Sequence, residues 1–386
     1  MDGYAISSGA TVDATTERPV TFVVQGTNAA GDEPVELANE PIDGFYPCVE
    51  IMTGAQFPVS TTNTPFDACV KIEDTVPFGG KLEFQSRRRF VLTQPVRLHA
   101  NRRFAGGDMQ KGDVIVKKGE ILRARHVMGL ASVGITEVVV RRSLRVAVWT
   151  TGNELTRDTD GARKSAQIFD SNGPFVAAAL REAGVEVELK GILQDDVRSL
   201  ERALDSDEAT SWDFIITTGA VSKGKFDFIV PALERMRAQV HFHGVAIRPG
   251  HPILFATMDH DHGRIPFFGL PGNPIATAAC FRFFVAPFVR LLLDRRAESP
   301  EIVELSMKNG GRDVFLASPS HLDCFRHGTI VARPDGTKVV ELSQSQSPAV
   351  ISQYATSNCW AHIARGYTEG AGSIMVQCYP HAPPTE

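Results

Sequence analysis

Between Leu144 and Leu293 the chain alternates short apolar runs with stretches of helical period, and nothing else in it limits folding as strongly. The runs Val146–Trp149, Val185–Leu193, Phe214–Thr217, Val240–Ile247 and Pro266–Leu270 read as strands. Pro174–Ala183, Val197–Ala203, Phe226–Met236 and Pro274–Leu293 read as helices. Gln194-Asp195-Asp196 and Pro271-Gly272-Asn273-Pro274 mark helix starts, with an acid or amide just before the first turn or a proline inside it. This order predicts a central doubly wound, mostly parallel α/β sheet, whose ligands gather beyond the carboxyl ends of its strands. Three polar turns fall at that rim: Thr150–Glu154, Gly219–Gly224 and Pro271–Pro274.

The middle turn carries the most chemistry. Phe214-Ile215-Ile216-Thr217-Thr218 runs into Gly219-Ala220-Val221-Ser222-Lys223-Gly224-Lys225-Phe226-Asp227, a strand followed by a Gly/Ser/Lys-rich loop and a helical segment. Backbone N–H groups, the Ser222 hydroxyl and a helix start make a cradle for an anion. Lys223 and Lys225 add positive charge, and Asp227 sets an acid at its edge. The spacing matches neither the dinucleotide GxGxxG fingerprint nor a P-loop.

The flanks differ in character. Residues 21–104 read as short strands broken by Pro, Gly and Asn, a β-rich domain. Residues 1–20 and 105–143 group as a partial linker or dimerisation domain, with a hairpin over 111–120, a helix over Ala124–Ser132 and a strand over Thr136–Val140. Residues 144–295 form the α/β domain, and 296–386 return to β-like segments with Gly/Ser turns, a C-terminal β-domain.

Composition narrows the partners. A chain of 386 residues with net charge −5 and pI near 6.1 is not a general nucleic-acid binder. No run approaches about 18 apolar residues, so a membrane is not an expected partner either. Met1-Asp2-Gly3-Tyr4-Ala5 lacks the basic-then-apolar order of a signal peptide. The six cysteines are scattered without CxxC spacing, which suits free thiols and a cytoplasmic location. Arg87–Arg89, the Asp259–His262 cluster and the His241/His243 pair read as a solvated strand end, a hairpin tip and a strand face, rather than as clamps or metal sites.

Six segments occur in one order: Met1–Ala5, Ile51-Met52-Thr53-Gly54-Ala55, Thr150–Leu155, Gly219–Asp227, Arg248-Pro249-Gly250-His251-Pro252 and Leu270–Pro274. Their order and spacing resemble the molybdopterin molybdenumtransferases, the molybdenum-insertion enzymes that include the E domain of gephyrin. The resemblance implies a magnesium-dependent reaction of molybdate with adenylylated molybdopterin, release of AMP, and a homodimer. It implies that Glu154 and Asp227 hold Mg²⁺ or position the attacking oxygen, with Asp195 nearby. Asp2, Asp108, Thr53 and Arg103 would line the facing wall. Thr151, Gly152, Gly219, Ser222, Lys223, Gly224, Pro249, Pro271, Gly272, Asn273 and Pro274 would cradle substrate. Arg248 would meet phosphate or molybdate, with Ser352 a further contact.

The chain departs from that pattern in places. Ala220, Lys223 and Lys225 stand where the family has glycine, valine and an acid, and a Cβ at Ala220 narrows the approach to phosphate if φ is positive. Gly244 replaces a strand lysine, which predicts that a lysine there restores a molybdate contact. Arg248 and His251 replace lysines, and the histidine is at best partly protonated at neutral pH. The family also carries an N-terminal stretch ahead of Met-Asp-Gly-Tyr-Ala. A second expectation follows: a binding or scaffolding module of gephyrin type that has lost turnover.

Overall fold

The computed structural model describes residues 2–78, 88–158, 164–204, 212–221, 228–260, 263–308, 311–367 and 373–381, in two compact units, Met1–Ile115 and Val116–Glu386.

The first unit is built on a six-stranded sheet of β1 (Gly3–Ile6), β2 (Val20–Asn28), β3 (Tyr46–Ile51), β4 (Ala68–Lys71), β5 (Val76–Pro77) and β6 (Arg89–Leu92), in the order β4-β1-β3-β2-β6-β5. Residues 3–6, grouped from the sequence with 105–143, are therefore an inner strand of this sheet. Their backbone needs glycine at its start: a Cβ on Gly3 would lie 2.2 Å from the Val70 carbonyl oxygen. Alternation along the strands gives the sheet two apolar faces, with Tyr4, Ile6 and Phe22 on one and Ala5, Val49 and Ile51 on the other. The described members of the arginine run are engaged locally. Arg88 pairs with Glu50 at 2.9 Å, and the Arg89 guanidinium lies 4.5 Å from the Phe45 ring centroid.

In the second unit the helix α1 (Ala124–Ser132) forms at its predicted bounds, although none of its residues is buried. The hairpin over 111–120 and the strand over 136–140 do not form, and those residues are turns and extended chain. A strand holds only when a ladder partner takes its N–H and C=O groups. Among the described residues no backbone pairs with 136–140, and Val139 is fully exposed.

The central sheet follows the alternating pattern. Its elements are β7 (Arg145–Thr151), α2 (Asn172–Glu182), β8 (Glu186–Leu193), α3 (Val197–Leu204), β9 (Phe214–Thr218), α4 (Ile229–Arg235), β10 (Gln239–His243), β11 (Leu254–His260), β12 (Gly263–Leu270) and α5 (Pro274–Leu292). The strand order is β8-β7-β9-β12-β11-β10. The first four strands run parallel, and β11 is antiparallel to both neighbours. Strand β11 is not among the strands expected from the sequence, and the expected strand Val240–Ile247 is divided: β10 ends at His243 and Ile247–Arg248 pairs elsewhere. Gly244 ends that run in the left-handed region, at φ +92°. Successive residues of each central strand feed opposite cores. Val146, Val148, Phe214 and Ile216 pack with Val176, Leu180, Val285 and Val289 of α2 and α5. Ala147, Trp149 and Ile215 pack with Leu200, Ile229 and Leu233 of α3 and α4. Burying each such side chain contributes roughly 1.5–3 kcal/mol, which explains strands apolar on both faces. Helix α5, 19 residues of mean hydropathy 1.7, reaches membrane-spanning length but is 67% buried as a core helix.

The C-terminal β-domain is a closed barrel. It contains β13 (Glu301–Leu305), α6 (Gly311–Leu316), β14 (Asp323–Ala332), β15 (Lys338–Leu342), α7 (Ser352–Ala355), β16 (Cys359–Ile363) and β17 (Met375–Pro380). The ladder runs β14-β15-β13-β17-β16 and returns to β14, so these strands leave no free edge. Ile247–Arg248 adds to β14 in parallel. A buried ion pair ties α5 to the chain around the barrel. Arg282, its side chain 4% exposed, donates to both Glu298 carboxylate oxygens at 2.6 Å and to the Pro380 carbonyl at 2.8 Å. Replacing Glu298 by alanine strands that guanidinium. Chemical denaturation is expected to show a loss of about 3–5 kcal/mol, and a loss below about 1 kcal/mol would mean water reaches Arg282.

Candidate active site

Three turns meet at the carboxyl rim of β7, β9 and β12. Gly219 has φ +91°, and a Cβ on it would lie 2.5 Å from Thr151 Oγ1 and 2.8 Å from the Thr151 carbonyl oxygen. Thr151 Oγ1 donates to the Thr218 carbonyl at 3.1 Å, and Gly219 N donates to the Leu270 carbonyl at 2.9 Å. A Cβ on Gly272 would stand 3.5 Å from Gly219 Cα, ordinary van der Waals contact. Asn172 Nδ2 donates to the Gly272 carbonyl at 2.7 Å, so the start of α2 holds the third turn. Asn273 and Pro274 open α5 as the sequence predicts, with Pro274 at its first position.

The acids hang on this frame. Gly152, at φ +141°, leaves room for the Glu154 carboxylate: a Cβ there would lie 2.7 and 2.8 Å from its oxygens. Glu154 is exposed. Asp195 Oδ2 accepts from Asn153 N at 3.2 Å, and Asp195 N donates to Asn153 Oδ1 at 3.4 Å. This reciprocal pair locks the turn after β8 to the residue beside Glu154. Ala220 adopts φ +53°, the conformation in which its Cβ matters. Beyond it, Val221 O accepts from His243 Nε2 at 2.6 Å. Ser222, Lys223, Gly224, Lys225 and Asp227 lie outside the described residues.

Arg248 is exposed and pairs across to Cys324, so strand alternation sets it on the same face as Arg326. Pro249 follows in the same turn. Arg326 is 4% exposed, and its Nε and Nη2 both donate to Ser318 Oγ at 3.1 Å. Among the described residues no carboxylate pairs with it. Burial, and then the Arg248 charge, push its pKa below the usual arginine range. Ser352 is exposed at the start of α7, and the loop before it caps α5, Ile275 N donating to the Pro348 carbonyl at 2.9 Å.

In the first unit, Asp2 Oδ1 accepts from Thr53 N at 2.9 Å and from Thr53 Oγ1 at 3.1 Å. These bonds, the backbone one foremost, hold its carboxyl below the usual range. Arg103 and Asp108 are exposed. His241 Nε2 lies 2.9 Å from Thr257 Oγ1 and Asp259 Oδ1 accepts from Arg264 at 3.0 Å. Among the described residues no group of three His, Cys, Asp or Glu could hold a metal.

Among the buried charges that sequence reading missed, Asp170 and Arg326 concern the site. Asp170, its side chain 1% exposed, accepts from Arg157 at 2.6 and 2.8 Å, from Thr150 Oγ1 at 3.0 Å and from Gly173 N at 3.0 Å. The string Asp170-Ser171-Asn172 before Gly173-Pro174 is a helix-start signal that could have flagged it. Arg326 was visible only as one charge inside the apolar strand Cys324–Gly328.

Backbone conformation makes the departures testable. Ala220→Gly removes a left-handed Cβ and is expected to raise unfolding free energy by about 0.5–1 kcal/mol. Gly219→Ala is expected to cost more than that gain. Gly244→Lys places a side chain at φ +92°, with the His251 ring 3.6 Å from the new Cβ, so a destabilisation of about 1 kcal/mol or more should accompany any gain in molybdate use. Urea midpoints for the three variants check all of this, and a stabilised Gly219→Ala would contradict the described turn.

Known proteins resemble this chain along nearly its whole length. The family profile described as "MoeA N-terminal region (domain I and II)" matches residues 1–134, and that described as "Probable molybdopterin binding domain" matches 147–291. The molybdopterin molybdenumtransferase of Synechococcus elongatus is 32% identical over 366 residues, covering 95% of this chain and 83% of the relative. That of Staphylococcus aureus is 30% identical, covering 96% and 82%. A crystal structure of the molybdopterin biosynthesis MoeA protein from Pyrococcus horikoshii, 27% identical, superposes with a TM-score of 0.71 and covers 99% of this chain and 86% of its own. Likeness of this extent along nearly the whole chain shows that it belongs to the molybdopterin molybdenumtransferase family.

Proposed function

We propose that this protein inserts molybdate into adenylylated molybdopterin with release of AMP, in molybdenum-cofactor biosynthesis. The observation that carries the reading is the meeting of three glycine-containing turns at one sheet rim, with Glu154 and Asp195 on adjoining loops. Turn amides and the start of α5 bind and orient the anionic diphosphate. Arg248, with the partly satisfied guanidinium of Arg326 on the same face, binds the tetrahedral oxyanion. Thr151 keeps the first two turns together, so their N–H groups do not reorganise as charge develops.

Magnesium belongs to this reading and the donor set suits it. Mg²⁺ takes one or two carboxylates and keeps several waters, and Glu154 offers an exposed carboxylate beside the anchored Asp195. Asp227 is proposed as a further ligand on the resemblance. Bound there, the ion would neutralise charge on the phosphoanhydride as it breaks. Asp2, Thr53, Arg103, Asp108 and Ser352 stay in the reading on the resemblance alone, as do Ser222, Lys223 and Gly224. A cytoplasmic location also belongs to it, in keeping with six buried free cysteines.

A homodimer is part of the same proposal. A groove of about 510 Å³ runs between α2 and α5, lined by Phe175, Ala178, Ala183, Phe281, Ala286 and Val289 among others. Small and aromatic side chains of this kind, with Glu182, Arg290 and Arg295 beside them, suit a helix of a second copy. Ala178 is exposed, so Ala178→Glu should leave the fold intact and shift sedimentation from dimer to monomer. A wild type that sediments as a monomer would remove the dimer from the proposal.

A second reading, nucleotide retention without turnover, draws on Ala220 and Gly244. One assay separates the two: protein given adenylylated molybdopterin, molybdate and Mg²⁺ should release AMP. Glu154→Gln should lower that release at least ~100-fold with an unchanged melting temperature. Bound nucleotide without release by the wild type would favour the module.

A further inference from the structure

Glu154 is exposed, yet its backbone is fixed on both sides. The Glu154 carbonyl accepts from Ile168 N at 2.8 Å, and Leu155–Thr156 form a parallel ribbon with Ile168–Phe169. Asp170 ends that ribbon, with its N–H on the Thr156 carbonyl at 3.0 Å. Its buried carboxylate then joins three other segments. Oδ2 takes the Arg157 guanidinium just beyond Glu154 and the Thr150 hydroxyl at the end of β7, and Oδ1 takes Gly173 N in the first turn of α2. The packing around it excludes even one methyl group. A Cβ on Gly173 would lie 2.6 Å from Arg157 Nη2, 2.7 Å from Asp170 Oδ2 and 2.9 Å from Thr150 Cγ2. One residue before Gly173, Asn172 grips the Gly272 carbonyl of the third turn.

We infer that Asp170 is a positioning residue for the transfer reaction: its contacts to Arg157, Thr150 and Gly173 set the Glu154 turn and the Gly272 turn in register. The inference rests on the proposed transferase activity. Chemically, a buried carboxylate with four donors is a rigid node, because an arrangement that breaks these bonds leaves the carboxylate desolvated without a partner. Asp170 touches no substrate in this assignment. It acts on the rate through the placement of Glu154 and leaves uniform substrate binding to the turn amides.

The test is a double-mutant cycle in AMP release. Asp170→Asn should lower kcat about 10–100-fold, with KM for adenylylated molybdopterin within about twofold. Asp170→Asn combined with Glu154→Gln should fall no further than Glu154→Gln alone. Thr150→Val, which removes the hydroxyl that meets Asp170 at 3.0 Å and Arg157 at 3.4 Å but leaves the Asp170–Arg157 pair, should repeat the kcat effect at smaller amplitude and serves if Asp170→Asn does not fold. Multiplicative losses in the double variant, or a rise in KM matching the fall in kcat, would overturn the inference. A wild type without AMP release would instead remove the functional reading. Hydrogen exchange then decides the positioning: amides of 153–156 and Gly272 exchanging at least ~10-fold faster in Asp170→Asn sustain it, and unchanged protection overturns it.

Discussion

Gly219 and Gly272 allow two chain reversals to approach until only backbone separates them, and Thr151 closes on Gly219 from the other side. A methyl group on Gly219 would collide with the Thr151 hydroxyl and carbonyl. One on Gly272 would only reach contact distance, so the tighter constraint lies at Gly219. The consequence is chemical. Strand ends that pack this closely bring the turns after β7, β9 and β12 together at one place on the rim instead of spreading them along the sheet edge. A parallel sheet supplies the aligned ends, and glycine supplies the missing volume.

Much of this was legible in the sequence, for identifiable reasons. Strands β7, β9 and β12 are apolar on both faces because helices cover both, and that gives uninterrupted runs, whereas the edge strand β8 interleaves Glu186, Glu188 and Lys190 with its apolar residues. Helices α2 and α5 announce themselves by Asn, Gly and Pro at their starts. The positive φ of Ala220 could be anticipated as a condition, since the position belongs to a glycine pattern. The failures share a cause as well. The run Val240–Ile247 reads as one strand, although β10 stops at His243 and Ile247–Arg248 pairs with the barrel, because periodicity cannot see that Gly244 turns left-handed. The valines of 138–140 have strand propensity, but propensity without a ladder partner does not make a strand. Asp170 and Arg326 went unread because burial of a charge depends on tertiary neighbours many residues away.

Those two buried charges solve opposite problems. Asp170 is saturated: each of its oxygens has a donor, and the pair with Arg157 is compact. Arg326 has one serine oxygen shared between two of its N–H groups. A desolvated cation with spare donors is costly to the fold, and an incoming oxyanion would relieve that cost. The first charge therefore stiffens the frame, whereas the second stores an unmet demand for negative charge.

The short pairing of Ile247–Arg248 with Asp323–Cys324 belongs to the barrel, yet it follows directly from the chain that leaves β10. Arg248 is thus mechanically a passenger of the barrel rather than of the sheet that carries Glu154. Any rocking of one body against the other would change the separation between cation and carboxylate without altering either body internally. The spacing of these two charges and the relative placement of barrel and sheet would then change in one and the same motion.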